Sequence, residues 1–557
     1  MINNFAIIFC SYFIIIFSVI GYGGIFSKIL EKKKINVNFG YYGLFGLFIL
    51  IIYAYLSHFF YSHSLLHNTL LIIFGLILFL IYFKKNLKDI IFCSSIFFIL
   101  FIALIILKTH DDFPYYHFGY SYYLTQNPIM IGIGQFNHGF RTQSSIFYLN
   151  SLFYLPIVKF YFFHLSSLLI LGFVNLILIK KLIDNFKTAD FDYISFFTIF
   201  SIIFINIFFY RIGEHGTDRS AQILMFLFFT EIFIFFKEKQ FSNLQLSKIF
   251  LILGMIISFK AFYILYTIML LPIFLSLKKN KSYKKFFLLL SKNQSIYFFS
   301  FLFLLVLVTN FFNTGCLIYP VNLTCFNSFD WSFAPSEIIQ MNDWYEQWSK
   351  AGAGPSFRTM DPEIYIQNFN WVSNWIEKYF FTKISDLLLG LLFLIIVFLI
   401  TFYSKNYKIN STYKKTYLLY GILLLLFCEW FYNHPALRYG GYPIVALILF
   451  VPLSNILGSI KYNQKDIKKK VILIIMITFT VFLLRNFDRI IKENKKYGYL
   501  PLQNITYQVD DRHFRIQKEF EDIVLKNKDC IEKKNYCTNH PSRNVRKIFK
   551  YLIFSRK

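Results

Sequence analysis

Ile90-Ile-Phe-Cys-Ser-Ser-Ile-Phe-Phe-Ile-Leu-Phe-Ile-Ala-Leu-Ile-Ile-Leu107 runs, after two residues, into His110-Asp-Asp-Phe-Pro-Tyr-Tyr-His117. The first stretch has the length and apolarity of a membrane-crossing helix. The second sets two adjacent carboxylates, Asp111 and Asp112, at its end. Ionisable groups at a membrane boundary either face water or line a site. The arrangement recurs in Tyr210-Arg-Ile-Gly-Glu-His-Gly-Thr-Asp-Arg219, which links two further apolar runs. Glu214 and Asp218 are therefore expected to face the first pair across one surface of the bilayer.

Working outward, apolar windows fall at 5–27, 40–60, 67–83, 89–108, 161–181, 192–210, 220–236, 247–259, 261–277, 295–313, 383–402, 416–433, 439–457 and 471–485. With 56% apolar residues, the chain reads as an all-α, polytopic membrane protein of about fourteen spans. The windows divide it into accessory helices (1–88), a core with acidic loops (89–313), a Trp-rich loop (314–382), further helices (383–485) and a basic tail (486–557). The first helix lacks a basic leader and a cleavage site and is expected to be retained.

Lysine sets the orientation. Lys32 to Lys34, Lys84 and Lys85, Lys180 and Lys181, Lys278 to Lys285, Lys405 to Lys415 and Lys461 to Lys470 fall on alternate connections, the cytoplasmic ones by the positive-inside rule. The acidic motifs, the segment 314–382 and His434-Pro-Ala-Leu-Arg-Tyr-Gly-Gly441 then lie on the exoplasmic side, as does the tail. Within the tail, 545–556 reads as a basic amphipathic helix on the membrane surface. The net charge of +27 is largely cytoplasmic lysine and tail, which speaks of topology and anionic lipid and gives no argument for nucleic acid. A P-loop is missing, and Gly132-Ile-Gly134 lacks the remainder of a dinucleotide fingerprint.

Arginine departs from the lysine trend. Arg141, Arg211, Arg219, Arg358 and Arg438 all map outside, and a planar guanidinium there suits a phosphate, a carboxylate or a neighbouring acid. For Arg219 an ion pair with Asp218 is the competing reading. Arg438 has no acid in its own loop and is assigned to a substrate phosphate, while Glu429 looks to Arg438 as its nearest base. Lys260, in the turn Ser258-Phe-Lys-Ala261, either joins the site or snorkels to the interface. His110, His117 and His215 lie near the acids, so a mixed Asp/His/Glu metal site from Asp111, Asp112, His110, Glu214 and His215 is open, beside plain interfacial hydrogen bonding. His63 and His67 share one helical face.

Cys316 with Cys325 and Cys530 with Cys537 are spaced as exoplasmic disulfides, whereas Cys10, Cys93 and Cys428 sit in apolar runs. The loop 109–160 is expected to lay amphipathic helices along the interface. The segment 314–382 holds Trp331, Trp344, Trp348, Trp371 and Trp375, read as an interfacial belt or as platforms for sugar faces. Its Asp343, Glu346, Asp361 and Glu363 read as solvated charge.

An acidic pair opening the first long exoplasmic loop, amphipathic helices in that loop, a second acidic motif one hairpin later and a large exoplasmic segment beyond resemble the GT-C superfamily of membrane glycosyltransferases. The likeness covers about residues 89–457 and rests on layout. It departs in having three helices before the pair, no spacer between Asp111 and Asp112, and Glu214-x-x-x-Asp218 as second motif. The resemblance implies sugar transfer from a polyprenyl-phosphate or polyprenyl-diphosphate donor to a glycan, lipid or protein acceptor at the outer face, in a bacterial inner membrane with the site facing the periplasm. Asp111 or Asp112 would be the base, with Asp112 favoured because Phe113-Pro114 is expected to hold it extended. Glu214 and Asp218 would orient the acceptor or hold a divalent ion. Arg438, His434 and Lys260, with Arg219 and Arg141 beside them, would bind the lipid phosphate. An O-antigen-type polymerase or ligase is the rival, depending on arginine and tolerating loss of the acids. A flippase or transporter would place its charges nearer the bilayer midplane.

Overall fold

The structure is a computed structural model that describes residues 2–31, 37–107, 110, 112–135, 137–188, 191–213, 216–238, 242–278, 283–402, 413–505 and 543–556. Asp111, Glu214, His215, Cys530 and Cys537 lie outside the described residues. All fourteen apolar windows fall on helical segments. Among the described residues, eleven helices are long and apolar enough to cross a membrane. Tyr193–Phe208 and Asn243–Phe259 are shorter and almost wholly buried among their neighbours. The last window lies inside Gln464–Tyr497, a helix of 34 residues, so the expected boundary at 485 falls within a continuous helix. The protein is a multi-pass integral membrane protein.

Several helices start on side-chain caps that satisfy otherwise orphaned amides: Asn38 accepts from the Tyr41 amide, Ser64 from that of His67 and Ser242 from that of Gln245, and Asp192 forms a capping box with Ser195. Small residues then let backbones touch, as is usual where lipid offers no hydrophobic gain. A Cβ on Gly23 would stand 1.7 Å from the Tyr42 carbonyl oxygen, and one on Gly46 1.9 Å from that of Val19. Gly43 packs on the ring of Phe173, which places the N-terminal helices in one core with Leu165–Thr188.

The two faces differ as lysine implies. On one, Lys28 lies over the Tyr82 ring, Lys237 pairs with Asp192 at 2.8 Å, and Lys470 donates to the Thr401 carbonyl. On the other lie the ends that carry Asp112, Asp218, Lys260 and Arg438. Above that second face the loop 109–160 forms a π-turn at Phe113–His117 and short helices at Phe118–Gln126 and Ser145–Ser151. The Trp-rich segment opens with the disulfide Cys316–Cys325 and continues through the helix Pro335–Lys350. Trp371 and Trp375 are buried in protein, not ranged along an interfacial belt, and the Trp375 indole donates to the Pro435 carbonyl.

The end of the chain corrects the sequence reading. Residues 545–556 are not a surface helix: Arg543–Ile548 and Tyr551–Arg556 form an antiparallel hairpin. Val545, Tyr551 and Phe554 suit strands, and two further hydrogen bonds tie the second strand to Ile131, from the Ile131 amide to the Leu552 carbonyl and from the Phe554 amide to the Ile131 carbonyl. The hairpin lies on the face that bears the acids.

This arrangement puts the Cys316–Cys325 disulfide on the same face as Asp112 and Arg438, the face that the lysine distribution predicts to be exoplasmic. An impermeant thiol reagent applied to intact cells should label these cysteines only after reduction. Labelling that needs permeabilised cells would reverse the orientation.

Candidate functional site

Asp112 stands eight residues past the end of the helix Leu87–Leu104 and leads the π-turn. Its backbone is helical, at φ −70° and ψ −21°, not extended as the sequence reading has it. Proline restricts the residue before it, which is Phe113, and Pro114 itself fits the first turn of a helix. Asp218 stands in the first turn of Gly216–Lys237. Arg438 lies in the single 3-10 turn Leu437–Tyr439, stopped by Gly440 at φ +93°, a left-handed geometry that favours glycine. Lys260 is the extended residue between Asn243–Phe259 and the 3-10 helix Ala261–Met269.

These four side chains form one ionic cluster. Arg438 donates through Nη2 to Asp112 Oδ2 at 2.8 Å and through Nε to Asp218 Oδ2 at 3.1 Å. Lys260 Nζ is 2.6 Å from Asp218 Oδ1. Two cations thus meet two carboxylates, and the Asp218 side chain is only 8% exposed. Burial alone would raise the Asp112 carboxyl, but Arg438 and His110 outweigh it and hold it below the ordinary range. Burial opposes charge on Arg438 too, and the two aspartates reverse that, keeping it protonated. His110 Nδ1 accepts the Asp112 amide at 3.0 Å. His117 is buried beside the cluster, and burial lowers it to about 3, so it is neutral at physiological pH.

Asp112, Lys260, His434 and Arg438 line a cavity of about 920 Å³. Tyr345, Trp344 and Trp348 line it too, and the Arg438 guanidinium lies over the Trp348 ring. Part of its lining is apolar. Ile264 and Leu265 of the 3-10 helix and Val306 of the helix Gln294–Thr314 line it as well, and Leu265 and Ile268 are exposed. The charged cluster and these apolar residues of two candidate membrane spans thus share one chamber.

The remaining candidates divide. His434 lines the cavity with Nδ1 donating to the Asn433 carbonyl. Arg141 also reaches the cavity, where its guanidinium meets Glu337 at 3.1 Å, the Gly134 carbonyl, Tyr319 and the Phe333 ring and so braces the wall. Arg219 is not paired with the neighbouring Asp218. Its guanidinium sits between the Phe209 and Tyr442 rings and bonds Gln222, which in turn donates to the Arg438 carbonyl. Glu429 accepts from Asn433, not from Arg438. His63 and His67 make local hydrogen bonds with Ser57, Ser151, Tyr53 and Asn68.

Among the described residues no group of three or more His, Cys, Asp or Glu could hold a metal ion. The donor set explains this: cations already stand against the carboxylates of Asp112 and Asp218, so the described residues do not fit a divalent ion. Sequence reading also missed Lys350. Its side chain is 0% exposed, pairs with Glu346 and donates to the Ile366 carbonyl, so Glu346 at the cavity wall is a half-buried ion-pair partner and not solvated loop charge.

A family described as a domain of unknown function, DUF8201, matches residues 5–445, and the chain belongs to it. No curated protein and no solved structure matches.

The cluster carries a pH signature. The lowered Asp112 carboxyl contributes stability that is present above the ordinary carboxylate pKa of about 3.9 and is lost as pH falls through its folded value. Melting curves of purified Asp112→Asn should lack that part of the acid-side fall. Arg438→Met, which leaves two carboxylates with one cation, should cost about 3–5 kcal/mol. An acid branch identical in wild type and Asp112→Asn would refute the coupling.

Proposed function

We propose that this DUF8201 member is a membrane glycosyltransferase of GT-C type that moves a sugar from a polyprenyl-phosphate-linked donor to a glycan, lipid or protein acceptor at the exoplasmic face of a bacterial inner membrane. The observation that carries this reading is the Asp112–Arg438–Asp218–Lys260 cluster at the wall of a chamber whose lining also includes Leu265 and Val306 of two candidate membrane spans. A lipid donor needs a way in for its chain, a cation for its phosphate and a carboxylate near the acceptor hydroxyl. The cation and the carboxylate are adjacent here, and in this proposal the donor chain lies along the apolar part of the lining.

The cluster suggests how binding and chemistry are linked. With no donor bound, Arg438 is neutralised by Asp112 and Asp218, and Asp112 is a weak base. A donor phosphate entering beside Lys260 competes for the Arg438 guanidinium. As that contact shifts, Asp112 loses its counter-charge and its proton affinity rises, which suits it to take the acceptor proton while the glycosidic bond breaks. Asp218, with its oxygens held by Arg438 and Lys260, positions the two cations. No step in this scheme requires a metal. The flippase reading is disfavoured because Asp112, Asp218, Lys260 and Arg438 gather at the ends of their helices on one face.

Transfer from a polyprenyl-linked sugar, measured in liposomes, tests the scheme. Asp112→Asn should fold and bind donor while turnover falls roughly 10²–10⁴-fold. Arg438→Lys keeps the charge but loses the two-armed geometry and should cost about 2–4 kcal/mol in transition-state stabilisation. Wild-type turnover in Asp112→Asn would remove the general base, and with it the preference over a polymerase or ligase.

A further inference from the structure

Arg358 differs from every other arginine discussed at the cavity. Arg438 and Arg141 are committed to carboxylates of the protein. Arg358 also lines the cavity, is exposed, and has no hydrogen bond or ion pair with the described residues. A guanidinium on a loose loop would be unremarked in that state, but this one is held at both sides. Phe357, 7% exposed, packs edge-on against Trp344 at 5.2 Å, and Thr359 Oγ1 accepts from Gln347 at 2.6 Å. The chain is thus pinned to the helix Pro335–Lys350 on either side of Arg358. Trp344 and Trp348 are four residues apart on that helix, hence on one face, and both line the cavity half-buried. His138 packs edge-on against Trp344 at 5.1 Å and closes the wall.

Indole faces bind the C–H face of a sugar ring, and a free guanidinium adds a two-armed grip on an anion beside it. Leu265, along which the donor chain would lie in the transferase reading, lines the same cavity. We infer that Trp344, Trp348 and Arg358 form an acceptor subsite for an acidic sugar, one bearing a ring carboxylate such as a uronic acid. This rests on the transferase reading for its purpose, and on the wall geometry for its chemistry.

Calorimetric titration of the purified full-length protein in detergent tests it, with three probes: a uronic-acid oligosaccharide, a neutral oligosaccharide of equal length, and polyprenyl phosphate. Wild type should bind the acidic oligosaccharide more tightly than the neutral one. Arg358→Gln should weaken the acidic probe by about tenfold or more and leave the neutral probe and polyprenyl phosphate unchanged. Trp344→Ala should weaken both saccharides, with Trp348→Ala as a second variant should the first fail to fold. Equal binding of the two saccharides, or no binding of either, overturns the inference. A loss of polyprenyl phosphate in Arg358→Gln overturns it as well and reassigns Arg358 to the donor. None of these results depends on turnover, so the transferase reading stands or falls separately on Asp112→Asn.

Discussion

One guanidinium joins segments that are 326 and 220 residues apart in sequence, Arg438 to Asp112 and Arg438 to Asp218. Each of these charges would be costly to bury alone, and their mutual attraction offsets that only while all are in place. The cluster therefore fixes where three helix ends stand relative to one another. With Lys260 added, the two cations balance the two carboxylates, which lets the cavity wall be polar without being strongly charged.

Arg438 can do this because its backbone is held from several directions. Gln222 binds its carbonyl, the Leu437 amide donates to the Tyr379 hydroxyl, and the Trp430 and Trp375 indoles bind the Ala436 and Pro435 carbonyls. Tyr379 and Trp375 come from the Trp-rich segment, so the loop above the membrane is coupled to the ion cluster below it. Lys350, with its amine on Glu346 and its charge near the Trp371 and Tyr432 rings, closes the same joint from inside.

What was legible in the sequence follows from the length scale of the physics. A bilayer imposes long apolar runs, so every window from 5–27 to 471–485 falls on a helix, and the lysine clusters separate the two faces. The grouping of Asp112, Asp218, Lys260 and Arg438 was legible too, because charges at helix ends on one face have few places to go. Their pairing was not. Arg438 has no acid nearby in its own loop, and nothing local says that its partners come from two distant motifs. The identity of Arg141 as a strut depends on Glu337, far along the chain, and is equally invisible. The strands at 543–556 were misread because the twelve residues 545–556, of mixed basic and apolar character, suit a surface helix as well as a hairpin until a third backbone, Ile131, is known to lie alongside.

That hairpin also sets an order of events. Lys550 donates to the Phe60 carbonyl across 490 residues, Tyr551 reaches Phe59, and Arg546 reaches Asp330. Closing contacts of such separation is slow compared with forming helices locally. During synthesis the early helices have therefore long since crossed the membrane while the segment around Ile131 still lacks its partner strand. The face around Ile131 is therefore completed last, when residues 543–556 arrive to cover it.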